Sequence, residues 1–100
     1  MVLVSYDLKS DVADYAALYQ EMQNIGGGVD GALRILESTW VLATNLNPNQ
    51  VSERLQKVIK QGDRFIVVNL NGFANRQGWL AKEMWTWIIG HDNTNPTPVA

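Results

Sequence analysis

Apolar and polar positions along this chain follow two different periods. Val2-Leu3-Val4-Ser5-Tyr6-Asp7 is a short, β-branched-rich apolar run that stops on an acid. It is too short for a helix and predicts a strand covered on both faces. The period then changes. Tyr15, Leu18, Tyr19, Met22 and Ile25 recur three and four apart, which predicts a helix from about Val12 to Ile25 with one apolar stripe. Asp11 and Asp14 stand where a capping pair would open that helix. Gly26-Gly27-Gly28 closes it, with one glycine in the left-handed position. Leu33 to Leu36 and Thr39 to Thr44 read as two further strands meeting at Glu37-Ser38. Asn47-Pro48-Asn49-Gln50 carries the marks of a capping box with proline in the first turn. It opens a helix from Pro48 to about Lys60, with Val51, Leu55, Val58 and Ile59 on the buried side. Arg64 to Leu70 is a last apolar strand. A final helix is predicted from about Gly78 to Ile89, with Trp79, Leu80, Met84, Trp87 and Ile88 in register, Trp85 off the stripe, and Gly90 as its cap. His91 to Ala100 reads as a disordered polar tail.

The order strand, helix, strand, strand, helix, strand predicts an α+β, ferredoxin-like βαββαβ domain over residues 1–90, with an added C-terminal helix. Two crossover helices cover one face of such a sheet. The added helix or a second subunit must cover the other, so a homodimer is expected. The two most apolar strands, the first and the last, are expected in middle or well-covered positions.

Composition narrows the chemistry. The chain has 100 residues, no cysteine, one histidine and a net charge of −2. Disulfides, thiolate nucleophiles and zinc–thiolate sites are excluded, and a single histidine leaves no Ser-His-Asp or multi-histidine machinery in one chain. The acidic balance is the wrong sign for a protein that coats nucleic acid. No stretch reads as a signal peptide or a membrane span. A soluble, cytoplasmic protein with no membrane partner is expected.

Several features carry both a functional and a structural reading. The glycine triplet could cradle phosphate, but it follows a helix rather than leading into one, which favours a turn. Arg54, Lys57, Lys60 and Arg64 could form a nucleic-acid-binding patch at the second predicted helix; a solvated helix face is the plainer alternative. Trp79, Trp85 and Trp87 could stack bases, whereas their helical spacing favours packing or an interface. Trp85, off the stripe, is the one expected at the surface. Arg34 interrupts an apolar strand and could pair with Glu37 or lie at an interface.

The strand ending in Tyr6-Asp7 resembles the strand that opens the CRISPR-associated adaptation subunit and virulence-associated protein D superfamily. Ile35-Leu36-Glu37-Ser38-Thr39-Trp40 and the Asp63-Arg64-Phe65-Ile66-Val67 strand resemble later segments of those proteins, over roughly residues 1–71. Leu36 to Trp40, the Asp63 strand and Gly78-Trp79-Leu80-Ala81-Lys82-Glu83-Met84-Trp85-Thr86-Trp87 together resemble small SinR-like proteins over nearly the whole chain. The superfamily resemblance implies a homodimer in which Asp7 meets its mate across a two-fold axis. There the two carboxylates would hold Mg²⁺ or Mn²⁺ and activate water for phosphodiester cleavage. Without such a mate, Asp7 is a turn residue bonded to backbone. The expected function is a homodimeric, non-enzymatic interaction or scaffold module associated with nucleic acid. The alternative is a metal-dependent endonuclease or a toxin-type ribonuclease using Asp7.

Overall fold

The structure, a computed structural model, describes residues 1–9, 15–71 and 77–92. The expected capping acids Asp11 and Asp14, the helix start at Val12, the turn at Gly72, Arg76 and the tail beyond residue 92 lie outside them. The described chain is an α+β domain with a four-stranded antiparallel sheet and three helices. The strands are β1 (Val2–Asp7), β2 (Ala32–Leu36), β3 (Thr39–Leu42) and β4 (Arg64–Asn69), in the order β2-β3-β1-β4. The first strand therefore holds a central place, pairing on one side with β3 and on the other with β4. Val4 sits opposite both Trp40 and Val67.

Strand alternation sends Val2, Val4 and Tyr6 to one face of β1 and Leu3, Ser5 and Asp7 to the other. The first face packs against α1 (Ala16–Ile25) and α2 (Pro48–Gln56). Val2, Val4, Trp40 and Leu42 of the sheet meet Leu18, Met22 and Ile25 of α1 and Val51 and Leu55 of α2 in one buried cluster. The second face carries α3 (Lys82–His91), whose Ile88 packs with Met1, Ile35 and Val41. The molecule is thus two helices, a sheet and one helix, with a core on each side of the sheet.

The local signals explain most of these elements. Asn47 accepts from the Gln50 amide at 2.8 Å while the Gln50 side chain accepts from the Asn47 amide at 2.9 Å, a full capping box with Pro48 at the first position. At the end of α1, Gly28 N–H reaches the Gln23 carbonyl and Gly27 N–H reaches that of Asn24, with Gly27 at φ 83°. That is a Schellman closure, in which the left-handed residue is cheapest as glycine. The glycines lead into a 3-10 turn at Val29–Gly31 before β2 begins.

Five expectations are corrected. β4 is an edge strand rather than a covered one, with Ile66 59% and Val68 40% exposed. The third helix begins at Lys82, because Ala81 is extended at ψ 143°; Gly78, Trp79 and Leu80 form an irregular lead-in. Gly90 is inside that helix rather than its cap, and His91 belongs to its last turn rather than to a tail. The second helix stops at Gln56, leaving Val58 and Ile59 to pack on the core from the turn that follows.

Candidate functional site

Asp7 closes β1 on the sheet face opposite α1 and α2, with its side chain exposed. Directly across the strand pair is Arg64 of β4, likewise exposed. The two share a shallow hollow with Ser5 and Ile66. The carboxylate's neighbour in the sheet is therefore a cation, not a second acid. Among the described residues no group of three or more His, Asp or Glu side chains converges as a metal site. A Mg²⁺ or Mn²⁺ site at Asp7 would need the carboxylate of another copy.

The four basic residues do not form one strip. Arg54 reaches across to α1, where its guanidinium meets the Glu21 carboxylate at 2.6 Å. Lys57 caps α2 and is exposed. The Lys60 ammonium lies 5.0 Å from the centre of the Tyr15 ring, a cation–π distance. Arg64 is on the other face of the sheet beside Asp7.

A polar cluster that the sequence pattern does not single out sits at the β2–β3 end of the sheet. The Tyr19 ring stacks on Trp40 at 5.7 Å, and the Arg34 guanidinium lies 5.7 Å over the same ring. Trp40 Nε1–H donates to the Tyr6 hydroxyl at 3.1 Å. Arg34 donates through Nε and Nη2 to the Glu37 carbonyl, so its partner at Glu37 is backbone rather than carboxylate. The Tyr19 hydroxyl is buried beside the Tyr6 hydroxyl. Burial, followed by the neighbouring Tyr6, raises its pKa above the ordinary tyrosine value. Alternation of Ala32 and Arg34 along β2 is the signal that places Arg34 on this helix-covered face.

Asp63 is a second such residue. Its Oδ1 accepts from Lys9 N–H at 2.9 Å and from the Tyr15 hydroxyl at 2.8 Å; its Oδ2 accepts from Lys60 N–H at 2.8 Å. Partial burial acts to raise its pKa. The two backbone donors, the Tyr15 hydroxyl and the Lys60 charge prevail and hold it below the ordinary carboxylate value.

The tryptophans separate sharply. Trp85, expected at the surface, is half-buried against the second core. Trp87 packs there too, donates from Nε1 to the Asp30 carbonyl at 2.9 Å and stacks on His91 at 4.0 Å. His91 Nδ1 lies 2.8 Å from the Trp87 carbonyl oxygen, which fixes the ring on the helix. Trp79, expected on the buried stripe, is 98% exposed. It stands on the rim of an apolar groove of about 260 Å³ between the sheet and α3, floored by Leu3, Ile35, Leu70 and Ile88. Leu36, 55% exposed, lines the same groove.

No protein-family model, curated protein or solved structure matches the chain. The comparisons therefore lend no support to the resemblance carried by Leu36 to Trp40, the Asp63 strand and Gly78 to Trp87. No helix among the described residues is long and apolar enough to cross a membrane.

Proposed function

We propose that this chain is a small, non-enzymatic interaction module that works as a homodimer, built on a ferredoxin-like domain with one added helix. The domain type is supported by the order β2-β3-β1-β4 and by the two helices that share one sheet face. The observation that carries the functional reading is the incomplete cover on the other face. There α3 buries Ile35 and Val41 but leaves Leu36, Ile66 and Val68 40–59% exposed. An apolar surface of this kind marks association rather than solvent contact. The nearest sheet neighbour of Asp7 is Arg64, which favours a docking role for that corner over metal-dependent hydrolysis. The resemblance to the adaptation-subunit superfamily agrees with a scaffold role beside nucleic acid.

Sedimentation velocity of the full chain tests the reading. A dimer is expected at micromolar concentration; a monomer throughout the micromolar range would overturn it. Cleavage of RNA or DNA with Mg²⁺ or Mn²⁺ that Asp7→Ala abolishes would overturn the non-enzymatic part and install the nuclease alternative.

A further inference from the structure

We infer that the homodimer is anchored by exchange of Trp79, each copy seating its indole in the apolar groove of the other. The inference rests on the homodimer reading and names the residues that would make the contact. Trp79 has almost its whole surface in solvent at 98% exposure, while the indoles of Trp40, Trp85 and Trp87 all pack against a core. An aromatic side chain of this kind exposes about 150–250 Å² that burial would remove from water. Ala81 is extended just before α3 starts, so Trp79 is presented by the lead-in rather than folded back onto a helical stripe.

The groove beside it matches in size and chemistry. At about 260 Å³ it falls below the ~300–1,000 Å³ of ordinary small-molecule sites and suits one large side chain. Among the described residues no charged side chain lines it, and its walls are mainly apolar. Gln77 and Thr39 are the polar residues that line it, and a buried indole N–H takes a hydrogen-bond acceptor.

Knob and hole lie on one patch of one chain. A two-fold axis through that patch satisfies both copies at once, giving a closed, isologous pair rather than an open chain. Among the described residues the exposed charges near the patch include Glu37 beside Leu36, Lys82 and Glu83 at the start of α3, and Asp7 and Arg64 on the sheet. Acids and bases alternate there, so no block of like charge opposes self-association. A stable interface takes about 800 Å² from each partner. Trp79 supplies its centre, with Leu36 at the β2 edge of the sheet, Ile66 and Val68 at the β4 edge, and Leu3 and the paired Ser5 and Thr39 hydroxyls between the two edges.

Sedimentation equilibrium of the full chain, with its variants checked for folding by circular dichroism, decides the matter. Trp79→Ala removes a solvent-exposed side chain, so folding is retained, and the dimer Kd is expected to rise at least about thirtyfold. Trp79→Phe keeps an aromatic knob and is expected to retain most of the affinity. Leu36→Glu puts a charge into the groove and is expected to weaken the dimer as much as Trp79→Ala does. A dimer whose Kd is unchanged by Trp79→Ala overturns the exchange while leaving the homodimer reading intact. A dimer lost in Trp79→Ala but unchanged in Leu36→Glu overturns the groove as the receptor. A monomeric wild type overturns both readings.

Discussion

Asp63 holds three separate parts of the chain through one carboxylate: the end of β1 at Lys9, the approach to α1 at Tyr15 and the turn after α2 at Lys60. Its folded-state pKa is depressed. Its contribution to stability is therefore complete above the unfolded-chain value of about 3.9 and is lost as the pH falls through the lower folded value. Asp63→Asn is expected to lower the urea midpoint at pH 7 and to flatten the loss of stability as the pH falls below about 4. An acid limb as steep in Asp63→Asn as in the wild type would show that this carboxylate carries none of it. In the sequence the residue is visible only as the acid before a strand. Two of its three donors come from positions 54 and 48 residues away, a separation that no local pattern encodes.

The elements divide by whether their determinants are local. The capping box at Asn47 and Gln50 spans four residues and is legible in the sequence. So is the end of α1, where glycine relieves a left-handed backbone. The start of α3 is not, because Gly78-Trp79-Leu80 continues the apolar spacing of the helix while the backbone at Ala81 is extended. Periodicity records which residues are apolar, not which dihedral angles they take. Gly31 makes the same point from the other side. A Cβ there would stand 1.8 Å from the Gly26 carbonyl oxygen, and backbone cannot swing aside. Gly31→Ala is expected to destabilise by about 3 kcal/mol or more in urea unfolding. Gly27→Ala, in open space at φ 83°, should lose only about 1 kcal/mol for its left-handed backbone. Equal losses would show that the close approach of Gly26 and Gly31 is not what fixes this turn.

At the scale of the whole molecule, folding and association are expected to be coupled through the open sheet face. If the dimer forms only from folded chains, thermal stability follows concentration by mass action. A hundredfold rise in concentration should raise Tm by about 5 °C or more. Ile66→Lys, at a site 59% exposed in the single chain, should remove that dependence without lowering Tm at the dilute end. A Tm that is flat with concentration in the wild type would contradict the coupling. The periods along the chain determined the kind and order of the strands and main helices and most of the core between the sheet and the first two helices. Those follow from alternation and capping, which act within a few residues. Only the tertiary structure decided that β4 lies at an edge, that Arg64 rather than another acid faces Asp7, and that Trp79 stands outside the core beside a groove. Each depends on which strands become neighbours and on where a helix first takes its dihedral angles, and residues far apart in the chain settle both.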